Sequence, residues 1–415
     1  MPRGWYKLDN VAKLFVATHT RRDPRVFRVS CTLTEPVDPA LLETALAQTA
    51  RQFPSFQVTL HRGLFWYYLE KTDRVPHCVP PGRPCAPIYT NARKKGLLYQ
   101  VSCYGSRIDL DVFHVLADGT GGLGFLQVLV WHYLRLRYPD EMADTAPAYD
   151  ASAAERAQDS FKKFYSQKGS PQKKGPLACQ LRGSRLPYDQ TQFFEAHCSA
   201  AAVAALAKGC GVSVTCYVAA QLMRAAYAEI PALERGRPVV VSMPVNLRNY
   251  YPSATSRNFF NSVSLAHAFS GDEPVEQVAR ALQQALKEAT APAQIAARMD
   301  QFEKLERMLA VKAVPRALKD PVVRLFNQIQ RRRETVTLSN LGRIRPDPAL
   351  APYIQHYSAF CSTSSLFVTL CSYEDEMVLG AASVFRSTNV LKRFVRSLAD
   401  AGVDVTLYAT EVETE

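Results

Sequence analysis

One histidine is set apart by what stands near it: His114, in the run Phe113-His114-Val115-Leu116-Ala117-Asp118-Gly119. An unperturbed imidazole titrates at about 6.5, so it can take a proton from an acceptor near neutrality. As a positioned general base it is worth roughly 10² to 10⁴ in rate. Asp118 lies four residues on, across a bend. It could orient the imidazole, or turn away and pin the loop through an ion pair. A histidine at a strand end can equally be a satisfied core residue, so the setting of the motif has to carry the reading.

That setting is a junction between two elements. Residues 97–104 and 107–114 read as antiparallel strands turning at Gly105-Ser106, and the second strand delivers His114 to its end. The glycine-rich stretch 119–124 leads into a helix to about Arg137, with Leu123, Leu126, Val130 and Tyr133 inward. Side chains at such a junction are held firmly and face a cleft. Gly119-Thr120-Gly121-Gly122-Leu123-Gly124 also satisfies a dinucleotide-binding fingerprint. That reading needs a second parallel strand ending in an acid about 20 residues on. Pro139-Asp140-Glu141 and a weakly hydrophobic stretch follow instead. The GxSxG and HExxH signatures of serine hydrolases and zinc proteases are absent.

The remaining elements alternate. Leu8, Val11, Ala12 and Phe15 recur at helical spacing, and residues 25–33 alternate polar with apolar as a strand does. Asp38 and Pro39 supply an N-cap and a first turn for a helix with the stripe Leu42, Ala45, Leu46 and Thr49. A hairpin over 57–60 and 64–69 follows. Residues 143–187 have little apolar periodicity, and 171–176 look exposed; the crossover between halves is placed here. The second half predicts strands at 192–198, 238–245, 259–266, 334–339, 357–371, 376–385 and 403–409. Ser199 caps a helix, Ser213 or Thr215 starts another, 274–331 is helix-rich, and a last helix covers 389–401. The near-continuous apolar run 238–245 suits a central strand. The expectation is a mixed α/β fold in two lobes, 1–180 carrying the histidine motif and 181–415.

With 415 residues, 47% of them hydrophobic, the chain exceeds one simple core and does not read as disordered. Its N-terminus lacks a signal core and no apolar run approaches the roughly 20 residues of a membrane helix, so the expectation is a cytoplasmic monomer without a membrane span. Ten cysteines without a CxxC pair read as reduced thiols, mostly buried; Cys78 and Cys85 have no partner pair at ligand spacing, so no metal is expected. The net charge is +12, densest at Arg331-Arg332-Arg333, with Lys392, Arg393 and Arg396 on a later helix. No nucleic-acid motif accompanies it. A positive field would instead suit an anionic ligand such as coenzyme A or a phosphopantetheine arm.

Further segments carry a resemblance. The chain resembles the superfamily of chloramphenicol acetyltransferase, nonribosomal peptide condensation domains and wax-ester synthases, and most specifically its alcohol acetyltransferase and polyketide-associated acyltransferase group. The signature there is HHxxxDG, in which the second histidine is the base and matches His114, while Phe113 replaces the first. Residues 38–42 through 51–56 resemble the early helix and its exit. Val245-Asn246-Leu247-Arg248 followed by Asn258-Phe259-Phe260-Asn261-Ser262 is similar to the strand, arginine and GxFxN pair of condensation domains. Ser339-Asn340-Leu341-Gly342 resembles a strand end of the acetyltransferase group.

The resemblance implies two chloramphenicol acetyltransferase-like lobes with an active-site tunnel between them. It implies His114 as base, Asp118 and Gly119 as structural, and Arg248 as the partner of Asp118. Ser339 and Asn340 become oxyanion candidates, and Asn258 and Asn261 possible oxyanion or tunnel residues. The implied reaction moves an acyl group from acyl-CoA, a co-substrate rather than a bound cofactor, or from an acyl carrier protein, to a small alcohol or amine. A catalytically degenerate protein that binds a carrier or ligand in the same cleft is the alternative. Trp66, Tyr67, Tyr68, Phe259 and Phe260 could line a tunnel or fill the core.

Overall fold

The helices and strands start and stop where side chains satisfy the backbone. The computed structural model describes residues 4–88, 96–147, 151–166, 175–307 and 314–409, which leaves 171–174 of the stretch expected to be exposed outside the described residues. In chain order the elements are β1 (Trp5–Lys7), α1 (Asn10–Thr18), β2 (Val26–Leu33), α2 (Pro39–Gln52), β3 (Val58–Arg62), β4 (Tyr67–Lys71), β5 (Tyr99–Tyr104), β6 (Arg107–Phe113), α3 (Gly119–Arg137), α4 (Ala153–Ala157), α5 (Ser160–Lys163), β7 (Gln192–Ser199), α6 (Ala200–Gly209) and α7 (Val214–Glu229). There follow β8 (Val239–Asn246), β9 (Phe260–His267), α8 (Val275–Ala289), α9 (Pro292–Arg307), α10 (Arg316–Arg331), β10 (Val336–Arg343), β11 (Ile354–Cys361), β12 (Leu366–Tyr373), β13 (Glu376–Ser383), α11 (Asn389–Asp400) and β14 (Val405–Ala409). Asp38 caps α2 through the amides of Ala40 and Leu41, and Ser199 and Ser213 cap α6 and α7. Gly105 takes φ 55° in the β5–β6 turn, a conformation that favours glycine.

The sheets define two lobes. A seven-stranded sheet runs β14-β7-β13-β12-β10-β8-β9, and a four-stranded sheet runs β11-β2-β6-β5. The parallel pairs are β10 with β12 and β10 with β8. Helices α7, α8 and α11 bury Tyr217, Leu282 and Phe394 with the strands Val239, Val368 and Leu379 in the C-terminal core. The N-terminal core gathers Leu46, Phe56, Val112, Phe125 and Leu129. No single helix among the described residues is long and apolar enough to cross a membrane; the pair α6–α7 is apolar enough but bends by 85°, and its inner residues lie in the C-terminal core.

The run expected as one strand at 357–371 is two. The chain turns at Ser362-Thr363-Ser364-Ser365, where hydroxyls take over backbone bonds: Val26 N donates to Ser362 Oγ (3.0 Å) and Ser365 N to Thr363 Oγ1 (3.0 Å). Strand β11 thereby leaves the seven-stranded sheet and pairs antiparallel with β2 in the other lobe. It crosses β13 closely enough that a Cβ at Gly380 would stand 2.0 Å from the Ala359 carbonyl oxygen.

Strand β2 is buried on both faces, Arg28 and Ser30 included. Arg28 is only 5% exposed. It binds Asp111 (2.6 Å), directly across the ladder on β6, and Asp109 (3.1 Å), diagonally across. Arg107 continues the network to Glu195 at 2.7 Å, joining β6 to β7 of the other sheet. A buried charge is tolerated only when paired and hydrogen-bonded in this way.

Candidate active site

His114 follows directly on β6, and its amide donates to the Arg25 carbonyl at 2.8 Å. Its half-buried ring sits among Phe15, Phe27 and Phe260, with ring centroids 4.6, 4.9 and 5.6 Å away. Phe113, one residue earlier, points to the opposite side and is 1% exposed in the N-terminal core.

Asn258 sets the ring's tautomer. Its Nδ2 donates to the His114 carbonyl oxygen at 2.9 Å, so its Oδ1 is the atom presented to His114 Nδ1, at 3.1 Å. An oxygen there accepts, which places the proton on Nδ1 and leaves Nε2 with a bare lone pair. Burial holds the imidazole pKa below its ordinary 6.5, against the opposing charge of Asp118 and the Asn258 bond. Asn258 is itself backed by Asp9, at 3.4 Å from Nδ2. Asp9 is fully buried, caps α1 through Ala12 N (2.7 Å), and has its pKa pushed up to about 6 by that burial, countered by Arg257.

Asp118 turns away from the ring and pins the bend. It caps α3 through Gly121 N (2.9 Å), accepts from Phe259 N (2.8 Å), and receives Arg248 on both oxygens (2.8 and 3.2 Å). Arg248 also donates to the carbonyls of Thr255 (2.8 Å) and Arg257 (2.8 Å). A planar guanidinium with every donor engaged is a rigid clasp. It ties the motif of one half to the 246–259 loop of the other.

The glycines behind the motif serve the same closeness rather than a nucleotide. A Cβ at Gly121 would stand 2.0 Å from the Ser256 carbonyl oxygen, and one at Gly122 would stand 2.6 Å from the Phe27 ring. Gly121→Ala is expected to destabilise the protein by about 1–3 kcal/mol, the usual range for overpacking. A lower melting temperature checks this; an unchanged one would mean the Ser256 loop can retreat.

A cavity of about 460 Å³ lies between the lobes and reaches His114. Phe15, Phe27 and Thr120 line it from one side, and Ser242, Phe260 and Leu366 from the other. Ser339, Asn340, Asp118 and Gly119 also border it, whereas Asn258 and Asn261 do not. Asn340 donates through Nδ2 to Thr215 (2.8 Å), and its Oδ1 accepts from Gly342 N (2.6 Å). Asn261 is buried on β9 opposite Val245. Of the aromatic candidates, Phe260 lines the cavity, Phe259 packs on Phe161, Tyr67 binds Asp320 (2.8 Å), and Trp66 is exposed. The residues not anticipated here, Asp9, Phe15, Arg25 and Phe27, come from segments far from the motif. The polar capping position of Asp9, just before the helix that carries Val11, Ala12 and Phe15, was the one local signal among them.

The chain has the two-lobed fold shared by CoA-dependent acyltransferases and condensation domains. The first condensation domain of the calcium-dependent antibiotic synthetase, in complex with a substrate analogue, superposes with a TM-score of 0.61 at 18% identity over 96% of each chain. The TRI3 trichothecene 15-O-acetyltransferase from Fusarium sporotrichioides gives 0.61 at 11% identity, over 96% of this chain and 94% of that one. TRI101 from F. sporotrichioides, complexed with coenzyme A and T-2, gives 0.62 at 13% identity, over 97% and 99%. No family model and no curated protein sequence matches the chain.

Proposed function

We propose that this chain is an acyltransferase that moves an acyl group from acyl-CoA, or from the thioester of an acyl carrier protein, to a small alcohol or amine, with His114 as the general base. The observation that carries the reading is the His114–Asn258 pair: it leaves Nε2 as the unprotonated ring nitrogen beside an interlobe cavity. In the proposed reaction the acceptor's N–H or O–H gives its proton to Nε2 as the heteroatom attacks the thioester carbon. The oxyanion then collapses, the C–S bond breaks, and the imidazolium returns the proton to the departing thiolate. A thioester is already activated, so the chemistry needs a base and an oxyanion donor. Ser339 is the candidate donor, since it borders the cavity; one such donor is typically worth about 3 kcal/mol. Structural neighbours that hold coenzyme A support the choice of donor.

The test is release of free thiol from acetyl-CoA in the presence of a panel of alcohols and amines, with mass spectrometry of the products. Acceptor-dependent release with a matching acylated product supports the reading. Background hydrolysis alone across longer acyl-CoAs and carrier-protein thioesters as well would count against it.

A further inference from the structure

Helix α10 is amphipathic the wrong way round. Its inward face is polar. Arg316 donates to Tyr67 Oη (2.7 Å) and Asp320 (3.1 Å), Arg331 to Asp23 (2.7 Å), and Asn327 and Gln330 border the interlobe cavity. Its outward face carries Leu318, Val322, Leu325, Phe326 and Ile329, spaced as one helical stripe and each 45–67% exposed. None of the helix's residues is fully buried. At its start the Arg316 amide donates to the Leu64 carbonyl at 2.9 Å, which sets the β3–β4 turn beside the stripe. That turn adds Leu64, 70% exposed, and Trp66, 47% exposed. Single exposed apolar residues are ordinary, but a contiguous patch of this kind marks an interaction surface.

The charges around the patch choose its partner. The helix's single carboxylate, Asp320, is turned inward and bonded, and on that same side Arg316 is engaged by Tyr67 and Asp320, Arg324 by the Ala17 carbonyl and Arg331 by Asp23, while Lys319 directly follows Leu318 of the stripe. Arg332 and Arg333 follow at its end, and the whole chain carries +12. An apolar stripe of Leu, Ile and Phe with no outward carboxylate, cations at Lys319 and Arg332 and an exposed tryptophan in the adjoining turn is the pattern of a helix lying in a bilayer interface. Anionic headgroups would meet the cations within a Debye length. We infer that α10 and the β3–β4 turn form a docking face for an anionic lipid surface. Because the polar side of the same helix borders the cavity, docking would set the cavity beside the bilayer. None of the stripe's residues lines the cavity that holds His114, so the face stands or falls independently of acyl transfer.

Sedimentation with extruded vesicles tests it, using phosphatidylcholine alone and phosphatidylcholine mixed with phosphatidylglycerol. The full chain is expected to pellet with the mixed vesicles and much less with the neutral ones, and added salt should weaken the binding. Leu325→Asp with Phe326→Asp is expected to lower binding about tenfold or more without changing the melting temperature, since both side chains are exposed. Arg332→Glu is expected to weaken binding to the mixed vesicles alone. Equal binding by wild type and the double variant, or no pelleting with either vesicle, would overturn the inference. So would a wild-type dimer that the double variant splits and that binds no vesicle, because a second copy would then be what covers the face.

Discussion

His114→Ala is expected to lower acyl transfer by roughly 10² to 10⁴, the worth of a positioned general base, while the protein stays folded. The ring is half-buried and borders open space, so its removal enlarges a cavity already present rather than opening one in solid core. Thiol release under saturating donor, read beside a melting curve, separates the two effects. A variant that retains full activity would remove His114 from the reaction. A variant that melts far below wild type would show that the ring is needed for packing.

The second large effect belongs to the clasp. Arg248→Ala is expected to destabilise the fold by about 3–5 kcal/mol, the usual result of leaving a buried charge without its partner. Asp118 is 4% exposed and would keep only the amides of Gly121 and Phe259. Asp118→Asn should cost less, because asparagine is also a good helix N-cap and holds the shape. Both variants should lose activity with stability, since the clasp joins the His114 bend to the loop bearing Asn258. Chemical denaturation of both variants checks this. Unchanged midpoints in both would show that the ion pair is not what holds that junction.

How much of this was legible in the chain depended on the range of the interaction. Local rules placed the helices that open at Asp38, Ser199 and Ser213 and the hairpin at Gly105-Ser106, because caps and turns are satisfied within a few residues. The break inside 357–371 was missed because both halves are apolar and β-favouring. The Ser362–Ser365 cluster was the signal, and what it does depends on Asp23 and Val26, more than 300 residues away in sequence. Likewise the alternation in 25–33 marked a strand but could not say what Arg28 and Ser30 meet, since Asp111 and Asp109 are set opposite them on β6. Helix α10 shows the converse: its strong apolar stripe is the kind that ordinarily faces a core, and here it faces outward.

At the site the motif spacing singled out His114 and Asp118, the resemblance added Arg248, and the structure sets the last two within bond distance. Spacing could not say which way Asp118 turns, nor that Asn258 is the ring's partner, since both depend on the approach of the two halves. Phe113, which stands where the resembling signature has a histidine, lies in the core, so the departure falls on a packing position.

The most direct measurement is the pH dependence of kcat/KM for acyl transfer. A base whose Nε2 must be unprotonated, held below 6.5 by burial, gives a rate that is flat near neutrality and falls only as pH drops through that lowered pKa. The same limb should be missing from any residual activity of His114→Ala. A profile with no acid limb, or one falling off well above 6.5, would contradict the assignment of this imidazole as the proton acceptor.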